Sequence, residues 1–252
     1  MGAISGGPRS PREILGSSLN IWYDLSKPIS PFDQINANTV DVTNNLTISR
    51  LYDFSGNNKH ATQANKAQQF AYVPNSRNGF AATTSSAATN MGMRINGTLT
   101  TGPRSFFIVG MDASTGFVFW DRGGATPGSL QIGISGINGW NNSQQDIGVI
   151  GISGGVGSTP YIMSYIFDSN QTYLYRNGNQ NRVANANLFT LNGNSVSLFS
   201  RFLGGTTYDQ RQAGTMYEMI FVSKVPSIGE YNSIITYLSS KWRIASGLIN
   251  SY

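Results

Sequence analysis

The chain has 252 residues, enough for one large all-β domain or two small ones with a sizeable core. Charged residues make up only 12% while Gly, Asn, Ser and Thr abound, which excludes a helical architecture; 39% hydrophobic and 12% aromatic residues, evenly spread, exclude a disordered linker and a membrane span. The net charge of +5 comes mostly from arginines scattered singly, which argues against nucleic-acid binding, and zero cysteines exclude disulfides, thiolate nucleophiles and thiolate metal sites.

Residues 1–18 read as an arm outside the fold. Gly6-Gly7-Pro8 and Ser10-Pro11 punctuate it, and only Ile14 and Leu15 are apolar enough to anchor it. A segment of this composition is not expected to order itself, so Arg9, Arg12, Ile14 and Leu15 are predicted to bind a neighbouring molecule. No apolar signal-peptide stretch opens the chain.

From residue 19 onward, short apolar or alternating runs are separated by Gly, Asn, Pro and Ser clusters, the pattern of a sandwich or barrel. Strands are predicted at 19–24, 69–73, 90–95, 105–112, 116–121, 129–135, 146–153, 161–167, 171–176, 195–200 and 215–223. In 171–176, Tyr173 and Tyr175 face one side and Leu174 the other, and Asn177-Gly178 then supplies a tight hairpin turn. One helix is predicted at 227–242, where Ser227 and Glu230 have capping-box spacing. Ile228, Tyr231, Ile235, Leu238 and Trp242 form its apolar stripe, predicted to lie on the outside of the sandwich. With no repeat and no internal linker, residues 19–252 read as a single domain.

Catalytic equipment is sparse. The one histidine, His60, has no Gly-x-Ser-x-Gly elbow to serve, and it reads as a turn-stabilising hydrogen-bond partner. The twelve acids are spread singly, and no strand carries two on one face as glycoside hydrolysis would want. Asp53-x-Ser55-Gly56-Asn57-Asn58 lacks the second acid and terminal Glu of a calcium loop and reads as an Asx-type turn with Gly56 at positive φ. No metal site or cofactor is predicted. Binding chemistry is better represented: sugars are held by aromatic faces and planar amides, and Asn138, Trp140 and Asn141 offer both on what reads as a Gly/Asn loop. Trp120 and Tyr208 are further candidates of the same kind.

Several segments resemble the concanavalin A-like (laminin G-like) jelly roll. Ile21-Trp22-Tyr23-Asp24-Leu25-Ser26, Tyr52 to Gln63 and Phe106-Phe107-Ile108-Val109-Gly110 look like its opening strands. Tyr161 to Gly178 is similar to its central hairpin, and Gly214 to Ser223, leading through Pro226 to Trp242, resembles its closing strand and C-terminal helix. The resemblance implies an all-β, two-sheet antiparallel sandwich of the kind found in bacterial surface proteins and in structural proteins of phages and viruses. The acid cluster of the family's hydrolases and the metal loop of its legume-type lectins are missing from the sequence.

The leading expectation is therefore a non-enzymatic virion structural protein, a capsid decoration or minor capsid component rather than a tail fibre. It would sit on the virion surface in many copies, anchored to neighbouring virion proteins by its N-terminal arm, with no nucleic-acid or membrane partner. The alternative is a carbohydrate-binding module recognising host surface glycans. A glycoside hydrolase comes third.

Overall fold

The computed structural model describes residues 9–27, 47–86, 91–95, 102–112, 117–121, 129–133, 136–141, 144–151, 159–168, 171–185, 196–204, 207–209 and 213–252. Within 112–158, 180–195 and 201–212 the description covers backbone only.

Short apolar or alternating runs broken by turn residues form two antiparallel sheets. The first is nine-stranded, in the order Asn179–Asn185, Gln171–Arg176, Tyr161–Phe167, Arg104–Asp112, Gly214–Val222, Phe80–Ser85, Phe70–Arg77, Thr47–Ile48, with Leu19–Asp24 also paired to Gly214–Val222. The second is eight-stranded, in the order Gln144–Gly151, Gly136–Asn141, Ser129–Gly133, Phe117–Asp121, Val196–Leu198, Met93–Ile95, Ala61–Thr62, Arg50–Leu51. A separate hairpin pairs Arg201–Gly204 with Thr207–Asp209. This is the two-sheet antiparallel sandwich expected from the short apolar and alternating runs and from the family resemblance.

The first sheet is buried on both faces because its central strands are apolar at successive positions. Phe106, Ile108, Met163, Tyr165, Met219 and Phe221 face the second sheet and pack with Leu51, Ala61, Ile95, Val196 and Leu198. Their neighbours Phe107, Val109, Ile162, Ile166 and Ile220 face the opposite way, toward the helix Ile228–Trp242. Tyr175 and Leu174 divide between these two layers as their parity requires.

The predicted stripe of that helix lies against the sandwich, with Tyr231, Ile235, Leu238 and Trp242 all fully buried. Each such side chain is worth about 1.5–3 kcal/mol of burial. Trp242 sits edge-on to Phe80 at 5.6 Å and tilted against Tyr217 at 5.2 Å. Ser227 and Glu230 form the expected capping box. At the other end Arg243 turns left-handed (φ 50°), and the last carbonyls accept from side chains of the first sheet: Arg77 Nε donates to the Trp242 carbonyl at 2.7 Å and Asn78 Nδ2 to that of Lys241 at 3.2 Å. At the hairpin turn Asn177 and Gly178 have φ of 50° and 76°. A Cβ on Gly178 would lie 1.7 Å from the Gly247 carbonyl oxygen, so only glycine lets the C-terminal tail cross the turn.

The N-terminal reading is corrected. Pro11–Leu15 forms a short helix whose Ser10 and Glu13 make a second capping box, and Gly16–Ser18 continues as a 3-10 turn into Leu19–Asp24. Leu15 is 4% exposed within the helix-side core, Ile14 packs against that core half-buried, and Arg12 Nη2 donates to the Phe54 carbonyl at 2.6 Å. Pro at the first helical position and a reciprocal cap let so short a turn order on its own chain. Leu15→Ala is therefore expected to lower the unfolding free energy by about 2 kcal/mol in a denaturant titration. A residue reserved for a neighbouring molecule would leave it unchanged.

Candidate functional site

The second sheet ends in three short strands, and burial fixes which way their residues face. Leu51, Ala61 and Ile95 are 1%, 0% and 2% exposed and belong to the inter-sheet core. Arg50, Thr62 and Arg94 occupy the alternate positions and look outward, the two arginines exposed and the threonine half-buried. The register pairs Arg50 with Thr62 and Thr62 with Arg94. It continues from Arg94 to Ser197, from Ser197 to Trp120, from Trp120 to Gln131 and from Gln131 to Asn138. One backbone row of the sheet thus joins the positions of Arg50, Thr62, Arg94, Ser197, Trp120, Gln131 and Asn138, drawn from seven separate stretches of sequence. Trp140 lies two residues beyond Asn138, paired with Ser129. Midway along the row, Ser197 is buried and donates to the Ser200 carbonyl at 2.5 Å.

Tyr52 and His60 extend the Arg50–Thr62 pairing by one step on the same face. Their ring centroids are 5.1 Å apart, and the Arg50 guanidinium lies 5.6 Å from the Tyr52 ring. His60 Nδ1 accepts from the Asp53 backbone N–H at 3.0 Å, which assigns the proton of the neutral ring to Nε2. This is the turn-stabilising role read from the sequence.

The turn beneath the pair is built on Asp53. Its Oδ1 accepts from the backbone N–H groups of Trp22 (3.0 Å) and Ser55 (2.9 Å), and its Oδ2 from Ser55 Oγ (2.8 Å) and the Lys59 N–H (3.0 Å). Gly56 has φ 92°, as the Asx-turn reading requires. Asn57 Nδ2 donates to the Leu19 carbonyl at 2.8 Å, and Lys59 Nζ to Asn20 Oδ1 at 2.6 Å, which ties the turn to the first sheet. Burial lowers the Lys59 amine below its ordinary pKa, against the opposing pull of Asp53.

Two carboxylates do meet in this molecule, at a place the scattered acids of the sequence did not disclose. Asp24 and Glu218 are direct partners across adjacent strands of the first sheet. Glu218 Oε1 accepts from Trp22 Nε1 (2.7 Å) and Tyr237 OH (2.9 Å), and Oε2 from Trp242 Nε1 (2.7 Å) and Lys241 Nζ (2.8 Å). Lys241 Nζ also reaches Asp24 Oδ1 at 2.5 Å. Burial, then the neighbouring Asp24 charge, push the Glu218 carboxyl up to about 7, while Lys241 and Trp242 pull it down. Burial and then Glu218 raise the Tyr237 phenol far above its usual value and keep it a donor. Both acids have fully buried side chains, so this cluster clamps the C-terminal helix to the sheet.

Of the other predicted site residues, Trp120, Asn138, Trp140 and Asn141 fall in strands Phe117–Asp121 and Gly136–Asn141, and Tyr208 in Thr207–Asp209, paired with Phe202. The loop assigned to 136–142 is corrected for Gly136–Asn141: pairing on both sides holds a Gly/Asn-rich segment extended despite its poor β propensity. The side chains of these five residues lie outside the description. Arg9 is exposed. Arg50, Thr62 and Arg94 were missed, because each is a single residue on a very short strand and only the register unites them.

No family model matches the sequence, and no curated protein is significantly similar to it. Solved structures do share its fold. A GH54 α-L-arabinofuranosidase soaked with a cyclic sulfate inhibitor is 13% identical with a TM-score of 0.63, over 97% of this chain and 68% of that one. An arabinofuranosidase complexed with arabinofuranosyl-α-1,2-xylobiose is 14% identical, TM-score 0.58, over 93% and 65%. The ligand-binding domain of botulinum neurotoxin serotype D in complex with N-acetylneuraminic acid is 12% identical, TM-score 0.53, over 90% and 53%. The chain is thus a β-sandwich of a kind carried by both glycoside hydrolases and receptor-binding domains.

The expectation that this chain is not an enzyme is overturned by those arabinofuranosidases, whose fold extends along nearly its whole length. A search for two acids on one strand was too narrow a criterion. Antiparallel partners bring acids together from distant segments, as Asp24 and Glu218 do.

Proposed function

We propose that this chain is a carbohydrate-recognising β-sandwich that holds glycans along the outward row of its second sheet. The observation that carries the reading is the row itself: the register runs from the outward Arg50, Thr62 and Arg94 through the buried Ser197 to the positions of Trp120, Gln131 and Asn138, with Trp140 two residues beyond Asn138. Sugars present apolar C–H faces to tryptophan and hydroxyl pairs to amide and guanidinium groups, and a strip across a rigid sheet offers both without a loop to order. Two of the proteins that share the fold are complexed with sugars, arabinofuranosyl-α-1,2-xylobiose in one and N-acetylneuraminic acid in the other.

The virion role read from the sequence relied on an arm gripping a neighbouring subunit. Residues 10–18 are engaged within this chain, so glycan recognition takes precedence.

A glycan array probed with wild type, Trp120→Ala and Trp140→Ala tests the proposal. Wild type is expected to bind, and each substitution to weaken its best ligand by about tenfold, or about 1.4 kcal/mol. An array on which wild type binds nothing removes the reading. Release of nitrophenol from 4-nitrophenyl α-L-arabinofuranoside, assayed beside the array, separates recognition with turnover from recognition alone.

A further inference from the structure

We propose that the Arg50 end of the row is a carboxylate subsite, so that the glycans recognised are acidic sugars; this rests on the glycan reading above. Thr62 lies between Arg50 and Arg94 in the register, one strand from each. Strands are spaced by about 4.8 Å, which puts the two arginine backbones about 10 Å apart, a distance that long side chains close over a single carboxylate.

Three features favour an anion over a neutral hydroxyl pair. The first is donor excess. Arg50 contributes only donors, His60 presents Nε2–H because its Nδ1 is engaged by the Asp53 backbone, and Tyr52 and Thr62 add hydroxyls that donate to a carboxylate oxygen. The second is the state of Arg50 and of the acid nearest to it in sequence. Among the described residues Arg50 forms no ion pair, and the acid of this segment, Asp53, has both oxygens filled by Trp22, Ser55 and Lys59. The third is preorganisation. The guanidinium of Arg50 lies against Tyr52, which in turn packs on His60, itself fixed to the turn below. A stacked guanidinium loses less rotamer freedom on meeting its ligand, and its planar fork matches a carboxylate.

The carboxylate could belong to a hexuronate or to a nonulosonate, and the probes separate these. The full chain is titrated with trigalacturonate, 3′-sialyllactose, xylotriose and lactose, at low and high salt, as wild type and as Arg50→Gln, Arg94→Gln and the double variant. At least one acidic sugar is expected to bind about tenfold tighter than either neutral sugar at low salt, with the advantage shrinking as salt rises. The double variant is expected to lose that advantage, so that its affinity for the acidic sugar falls to its own affinity for the neutral ones. Both arginines are exposed, so unchanged thermal unfolding of the variants is expected and serves as the folding control. Equal affinity for acidic and neutral sugars, or a double variant that keeps the preference, overturns the carboxylate subsite and leaves the glycan reading standing. Failure of all four sugars to bind overturns both.

Discussion

Glu218→Ala is expected to lower the unfolding free energy by about 3–5 kcal/mol, the usual cost of removing one partner from a buried charge cluster. The substitution leaves the indole N–H groups of Trp22 and Trp242 and the Tyr237 hydroxyl without their acceptor, and leaves Lys241 with Asp24 and the Tyr237 hydroxyl oxygen. Three of the lost bonds join the helix Ile228–Trp242 to the strand Gly214–Val222 and the fourth joins that strand to Trp22, so helix docking should fail first. Denaturant unfolding followed by tryptophan fluorescence measures this directly, because Trp22 and Trp242 both touch the carboxylate. A loss below about 1 kcal/mol would mean that the clamp is replaceable by packing.

The same residue sets a pH dependence whose sign follows from its raised carboxyl. Folding lifts Glu218 from an ordinary 4.5 to about 7, through burial first and the Asp24 charge second. The folded state therefore favours the proton. Its contribution is fully present below about 4.5, where both states are protonated, and is lost as pH rises through about 7. Each pH step of one between those two values is worth about 1.4 kcal/mol, so roughly 3 kcal/mol of stability is at stake across that window. Glu218→Gln does not titrate, so its stability should lack this fall between about pH 5 and pH 8. Parallel pH profiles for wild type and variant would assign the dependence to another group.

The strands at 19–24, 161–167 and 171–176 were legible to the residue because the first two are short apolar runs, the third alternates, and a turn signal follows each. Phe80–Ser85, Gly136–Asn141 and Asn179–Asn185 were not, and their composition explains it: Ala, Gly and Asn are poor strand formers, and each segment is extended only because its neighbours pair with it. The last of them was implied by the Asn177-Gly178 turn, since a hairpin needs a second arm. Ser10 and Glu13 carried a capping-box signal that the surrounding glycines and prolines outweighed. The candidate site was the least legible part. Its row takes residues from seven distant stretches, and a slip of one residue in any strand would turn that position inward, so only the register discloses it. Trp120, Asn138 and Trp140 could be singled out by chemistry alone; Arg50, Thr62 and Arg94 could not.

Asp53→Ala should couple the stability of the fold to the quality of that site. Asp53 is 7% exposed and stands where the turn of residues 53–60 meets the edge of Leu19–Asp24, accepting from the backbone N–H groups of Trp22, Ser55 and Lys59. Each buried donor left without a partner costs about 1–3 kcal/mol, and water can reach the more exposed of these three, so the expected loss is about 3 kcal/mol. Asp53→Asn keeps one accepting oxygen and should lose about half as much. Its carboxylate bonds to Trp22, Ser55 and Lys59, while its backbone N–H fixes His60, and His60 supports Tyr52 under Arg50. Acidic-sugar affinity in Asp53→Ala should therefore fall by about fivefold at temperatures where the variant is still folded, because the guanidinium must then be ordered by the ligand itself. Binding at the far end of the row, read through the tryptophans, should be unaffected. A variant that is destabilised but binds acidic sugar as wild type does would show that the Arg50 stack needs no support from the turn. Unchanged stability would remove Asp53 as the centre of the turn altogether.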